Sequence, residues 1–259
     1  MVRAALRRGL DVIAWAGSAD VPLHDPARAE AAFRQARPSA VLHLAAMARI
    51  DACQRDPDLA RRINACVPAL LARLCAEAKA HLVLVSTDMV FDGTRAPYGL
   101  RAEPSPQSVY AQTKVEGERL ALGATVARLP LLVGPSLSGA RSFFGDQARH
   151  LRDGVPISLY EDEWRTPMDL PTAAAALVEL ALARAGGLWH LAGPERLSRL
   201  EMGAALAQVL GASPALLVAA KRPADRPRDL SLDPSTWREA FPRLPWPTLA
   251  QALPGLLAR

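Results

Sequence analysis

The 259-residue sequence predicts an α/β fold, with a parallel sheet covered by helices on both faces and a smaller, less regular part after it. Three observations carry this. Short apolar runs, Ala40-Val-Leu-His-Leu44, His81-Leu-Val-Leu-Val85 and Val126-Ala-Arg-Leu129, alternate with longer helical stretches, as strands buried on both faces do. Half of the residues are apolar and 22% are charged, which suits an ordinary globular protein with a sizeable core. Ala45-Ala46 and Ser86-Thr87 follow the first two runs, at the carboxyl ends of the strands, where such sheets bind their ligands.

In chain order, residues 2–9 read as a helix closed at Gly9, a position suited to a left-handed C-terminal residue. Asp11-Val-Ile-Ala-Trp15 reads as a short buried strand. Asp25-Pro-Ala-Arg28 starts a helix with an N-cap and a first-turn proline. Residues 40–44 form the next strand, and a single long helix is expected from Asp56-Pro-Asp58 to about Ala80. The run 81–85 is a strand ending at Ser86-Thr87-Asp88, and a proline- and glycine-rich loop over 92–107 leads to a helix carrying Tyr110 and Lys114. A strand at 126–129 follows. Helices are expected over 141–152, 171–184 and 199–210, a strand over Gly187–Leu191, and a final helix near 247–257. Neither an internal repeat nor a low-complexity linker interrupts the chain.

Composition narrows the function. No apolar stretch reaches the ~18 residues of a membrane span, and the first ten residues lack the apolar centre of a signal peptide. Their arginines would also suit a transit peptide, the lesser reading beside a cytoplasmic protein. The net charge of +5 is dispersed along the chain and says little about nucleic acid; no nucleic-acid partner is expected, though arginines near a pocket would suit an anionic substrate. Cys53, Cys66 and Cys75 are odd in number and lack metal-ligand spacing, so they read as reduced thiols and no metal site is expected.

Tyr110-Ala-Gln-Thr-Lys114 carries the chemistry. A tyrosine and a lysine four apart share one helix face. An ammonium there can depress the pKa of a phenol that otherwise titrates near ~10. A hydroxyl such as that of Thr87 can hold a carbonyl or alcohol beside it. The trio reads as proton transfer coupled to oxidation or reduction of a carbonyl; the bland alternative is an exposed helical pair. With three tyrosines, three lysines and 28 arginines, chance spacing is uncommon.

Other candidates are weaker. His43 reads as a packed strand histidine before a proton relay. Glu161-Asp162-Glu163 reads as a solvated acidic turn before a Mg²⁺ site. Arg165, Arg226 and Arg228 could clamp a nucleotide diphosphate, because guanidinium matches phosphate bidentately. Asn64 is either a backbone-bridging polar group or a helix-surface residue.

These segments together resemble the extended short-chain dehydrogenases, and within them the dTDP-4-dehydrorhamnose reductase group. The resemblance is carried by Leu42-His-Leu-Ala-Ala46, Ile50-Asp51, Arg62-Ile-Asn64, Val85-Ser-Thr-Asp-Met-Val-Phe-Asp-Gly93, Glu103-Pro-Ser-Pro106 and Val109-Tyr-Ala-Gln-Thr-Lys114. Glu163-Trp-Arg-Thr-Pro167 and Arg226-Pro-Arg-Asp-Leu-Ser-Leu-Asp233 add looser matches. It implies a Rossmann-like doubly wound parallel sheet at 1–135, with 171–191 returning to it, and a small substrate-binding subdomain from 136–170 and 192–259.

It also implies roles. Tyr110 would be the acid that protonates the substrate oxygen as hydride arrives from NAD(P)H, Lys114 would bind the nicotinamide ribose and tune Tyr110, and Thr87 would bond the reacting carbonyl. Ala45, Ala46 and Met47 would pack along the cofactor, with Asp88, Arg165 and Arg228 on the substrate, a nucleotide sugar or related keto compound. A homodimer is compatible with this.

The family's opening strand and Gly-x-x-Gly-x-x-Gly loop are missing from the sequence, whose first twenty residues hold only Gly9 and Gly17. A start roughly a dozen residues upstream is the expectation, because the rest reads as a complete fold. Ala16-Gly17-Ser18 supplies no acidic residue for a ribose 2′-hydroxyl, which tilts the cofactor toward NADP, with Arg7 or Arg8 reaching its phosphate. Leu131 and Val133 replace an aromatic pair of the reductases. The alternative function is a non-catalytic regulatory or binding subunit that keeps the fold, as the methionine adenosyltransferase β subunit does.

Overall fold

The computed structural model describes residues 1–15, 20–136 and 142–258. Its strands are β1 (Ala40–His43), β2 (His81–Thr87), β3 (Thr125–Leu129), β4 (Leu132–Val133), β5 (Ile157–Tyr160), β6 (Trp164–Arg165), β7 (Met168–Asp169), β8 (Leu188–His190), β9 (Leu197–Ser198) and β10 (Leu217–Ala220). The chain divides into two compact units, one of residues 1–91, 103–129 and 174–189, the other of 92–102, 130–173 and 190–259.

The first unit is built on the sheet β1-β2-β3-β8, in which β1, β2 and β3 run parallel. Strand β2 is buried along nearly its whole length, as its unbroken apolar run requires. Leu82, Leu84 and Val126 pack with Phe33, Val67, Leu71 and Leu74 from the helices Pro26–Ala36 and Val67–Ala78. Asp25 caps the first of these by accepting from the backbone N–H groups of Ala27 and Arg28.

Two expectations fail here. Residues 11–15 form no strand, and Ile13 is 64% exposed. The run has the composition of a strand, but a strand is defined by a neighbour, and among the described residues β1 pairs only with β2. The helix expected from 56 to 80 is instead three segments: Pro57–Arg61, a π-turn at Arg62–Cys66, and Val67–Ala78. Such turns insert a residue into a helix and re-aim side chains, commonly at functional sites. Ala16-Gly17-Ser18 lies outside the described residues, as does the start of the helix expected at 141; that helix runs over Phe143–Arg152.

The second unit has a separate core, in which Ile157 and Leu159 of β5 meet the helices Phe143–Arg152, Arg199–Leu210 and Leu249–Leu257 through Leu151, Leu206 and Leu253. Strand β5 pairs with β10, β4 with β7, and β6 with β9. Trp237 is fully buried, and both it and Trp246 donate their indole N–H to the Ala192 carbonyl. No helix among the described residues is long and apolar enough to cross a membrane.

The π-turn has a direct packing consequence. A Cβ on Gly117, in the helix Val109–Leu120, would lie 2.2 Å from the Asn64 carbonyl oxygen. Gly117→Ala should therefore cost about 1–3 kcal/mol through overpacking, despite the ~1 kcal/mol that alanine gains in a helix interior. Denaturant unfolding checks this; a variant as stable as the parent would mean that the two backbones are not in contact.

Candidate active site

Strand β2 delivers Ser86 and Thr87 to its carboxyl end, and a single 3-10 turn, Asp88–Val90, turns the chain away. The Thr87 hydroxyl caps that turn by accepting from the Met89 N–H at 3.2 Å and donates to Asp88 Oδ1 at 3.2 Å. The helix Val109–Leu120 begins at Ser108, whose hydroxyl accepts from the Ala111 N–H. Tyr110 lies in its first turn and Lys114 one turn later. The Thr87 side chain and the Asp88 charge both act on the Tyr110 phenol, so the structure brings Thr87, Asp88 and Tyr110 together.

Lys114 is 4% exposed and donates to the Val85 carbonyl at 2.6 Å. Burial lowers its pKa from 10.5 to about 8, and Glu118 one turn further along opposes that shift. The expected effect on the phenol is absent. Burial pushes Tyr110 up to about 12, with the Asp88 and Cys53 charges acting in the same direction and only the Thr87 hydrogen bond acting against them. In the free protein the ammonium is turned to β2, and loss of water dominates the phenol. The result is a phenol that keeps its proton, which suits a donor better than a base.

Ala45, Ala46 and Met47 follow β1; Ala45 is exposed, the other two half-buried. Asn64 anchors this stretch: its amide oxygen accepts from the Met47 N–H at 2.9 Å, and its amide nitrogen donates to the Met47 carbonyl and to Thr113 Oγ1, both at 3.1 Å. Asn64 is thus the backbone-bridging group, tying the post-β1 segment to the helix Val109–Leu120.

Sequence reasoning missed Glu118 and Arg128. Glu118 accepts from the Ser86 hydroxyl and from Arg128 of β3, whose Nη2 is 2.6 Å away. Both side chains are nearly buried, and Arg128 also lies over the Phe91 ring. The available signal was the i,i+4 spacing of Lys114 and Glu118.

In the second unit, Glu163 is fully buried, which corrects the solvated-turn reading. Arg199 and Arg226 each donate to it at 2.8 Å, and Arg165 approaches to 3.3 Å. A buried carboxylate survives only with such partners. Arg165 is therefore already engaged, whereas exposed Arg228 lies over the Trp164 ring. Arg8, offered above as a phosphate ligand, pairs with Glu179 at 2.6 Å. Among the described residues no cluster of potential metal ligands occurs, and Cys53, Cys66 and Cys75 are free thiols.

A parallel sheet with a threonine at the carboxyl end of a central strand, covered there by a helix that carries tyrosine and lysine four apart, marks an α/β protein of the extended short-chain dehydrogenase class. The model of the RmlD substrate binding domain family matches residues 1–258, and the chain belongs to that family. It is 31% identical to dTDP-4-dehydrorhamnose reductase from Streptomyces griseus over 272 residues, covering 98% of this chain and 88% of the relative. It is also 32% identical to methionine adenosyltransferase 2 subunit beta from Xenopus tropicalis over 195 residues; that match covers 71% of this chain but 58% of the subunit, less than two thirds of its length. Among solved structures, dTDP-4-dehydrorhamnose reductase from Bacillus anthracis in complex with NADP superposes with a TM-score of 0.83 at 20% identity, over 92% of this chain and 86% of that one. At that identity the likeness is one of fold.

Burial of Lys114 makes stability depend on pH. Its folded pKa lies below the unfolded value, so the associated stability is present above pH 10.5 and lost as pH falls through about 8. Lys114→Met should be more stable than the parent at pH 7, by up to about 3 kcal/mol, with the advantage fading between pH 8 and 10.5. Denaturant titrations across that range check it; a less stable Lys114→Met at pH 7 would show that the Val85 bond outweighs desolvation.

Proposed function

We propose that the protein is an NAD(P)H-dependent oxidoreductase that reduces a keto group on a nucleotide sugar or a related small molecule. The observation that carries this is the grouping of Thr87, Asp88 and the Tyr110 phenol, which burial holds protonated, with the buried Lys114 one turn further along the same helix. The Streptomyces relative, matched across nearly the whole chain, supports a dTDP-sugar substrate. The NADP complex of the Bacillus fold relative supports the cofactor, and the sequence tilts toward NADP.

Lys114 and Tyr110 fit the ribose and nicotinamide end of such a cofactor, since the site offers a buried cation and a phenol together at the strand's carboxyl end. The half-buried Ala46 and Met47, held by Asn64, offer a small-residue surface for it to pack on. The cofactor, when bound, supplies the hydride. Thr87 orients the substrate oxygen beside Tyr110, and Tyr110 gives that oxygen its proton, for which a phenol must be both protonated and close. Lys114, with a pKa near neutrality, restores the phenol's proton. Asp88 contacts the substrate. In this reading the first unit holds the cofactor, the second holds the substrate with Arg228 while Arg165 stays on Glu163, and the protein works in the cytoplasm as a homodimer.

A second reading is a regulatory or binding subunit that keeps the fold, supported by the identity to the Xenopus subunit. NADPH consumption with a dTDP-4-keto sugar separates the two. Tyr110→Phe should lower turnover at least about 100-fold while NADPH affinity, read by its fluorescence, stays within about threefold. Unchanged turnover would remove Tyr110 as the acid, and no NADPH consumption by the parent would favour the regulatory reading.

A further inference from the structure

His43 is a buried titratable group at the end of β1 that the chemistry above leaves unused. It closes β1 and is 5% exposed, and its Nε2 is buried without a hydrogen-bond partner among the described residues. Buried polar atoms in folded proteins are otherwise satisfied by protein or by an ordered water. The register of β1 on β2 sets His43 beside Leu84, one residue before the carbonyl that receives Lys114. Residues paired across strands share a sheet face, and along β2 Leu84 shares its face with Ser86. Ser86 bonds Glu118 on the catalytic helix, so the face that carries His43 is the one this helix covers. Electrostatically, Lys114 is the charge that acts on His43.

An ammonium has three N–H donors directed to different sides, and the Val85 carbonyl takes one. We propose that His43 is a positioning residue for Lys114: its Nε2 accepts from the ammonium through one ordered water and so fixes the direction and charge of Lys114. The inference rests on the reading in which Lys114 serves Tyr110. A water needs at least two polar partners to stay buried, and this pair provides them. His43 suits the task because burial, aided by the Lys114 charge, lowers its pKa to about 4, leaving a neutral acceptor across the physiological range. The neighbouring titratable groups do not compete. Glu118 raises Lys114 but is tied to Arg128 of β3. On the helix Val67–Ala78 the buried titratable group is Cys75, which burial pushes up to about 11 and keeps neutral. His81 lies at the opposite end of β2.

The chain has three lysines and five histidines, so both partners can be read directly by NMR. In protein labelled with ¹³Cε-lysine, the Lys114 signal is identified by its loss in Lys114→Met. His43→Phe should lower the Lys114 midpoint by about one pH unit, because a hydrogen bond to the charged form is lost. His43→Gln, which restores an acceptor, should recover most of that shift. ¹⁵N-histidine spectra of the parent should show His43 with the proton on Nδ1 and a bare Nε2. A folded His43→Phe with an unmoved Lys114 midpoint overturns the proposal, as does a proton on Nε2; the second measurement needs no variant to fold. Neither readout depends on turnover. A shifted Lys114 midpoint in a protein that consumes no NADPH would support His43 and reject the reduction, and the reverse result would do the opposite.

Discussion

The first unit is organised around a lysine taken out of water. Lys114 lies almost fully buried against the Val85 carbonyl, at the point where β2 ends and the site begins. An ammonium in that position is tolerable only if a backbone acceptor, a nearby carboxylate and close packing all act together. The helix Val109–Leu120 must therefore approach β2 closely. Gly117 permits it by bringing the helix against the backbone of Asn64, and the Ser86–Glu118–Arg128 bridge joins β2, the helix and β3 on the same side.

That close approach links packing to chemistry. The π-turn at Arg62–Cys66 places Asn64 where one amide side chain satisfies both backbone groups of Met47 and reaches Thr113 on the helix Val109–Leu120. The segment after β1 and the helix bearing Tyr110 are thereby held at one spacing. The same burial that lowers Lys114 raises Tyr110, so one dielectric environment yields a lysine near neutrality and a phenol that stays protonated. The second unit meets a parallel problem with the opposite sign. Glu163, a fully buried carboxylate, is held by Arg165, Arg199 and Arg226.

Much of the fold was legible in the residues. β1, β2 and β3 fall on their apolar runs, and Asp25-Pro26 starts its helix as the residue types suggest. The trio was legible because its members lie close in sequence or at a strand end, where local spacing determines geometry. The failures share a cause. Asp11–Trp15 has a strand's composition without a pairing partner among the described residues, and the long helix hides a π-turn whose reason, contact with Gly117, is some fifty residues away. Glu163 read as solvated because the arginines that bury it come from β6, β9's following helix and a distant loop.

Residue types and their spacing by themselves determined the alternation of strands and helices, the position of Thr87 at a strand end and the shared helix face of Tyr110 and Lys114. Tertiary structure alone decided what those groups do electrically. Spacing on a helix says that a tyrosine and a lysine are neighbours, but a pKa follows from water, and water is excluded by elements far apart in the chain. The ammonium faces Val85 instead of the phenol, the phenol answers to burial and to Asp88, and His43 becomes a neutral acceptor in the same space.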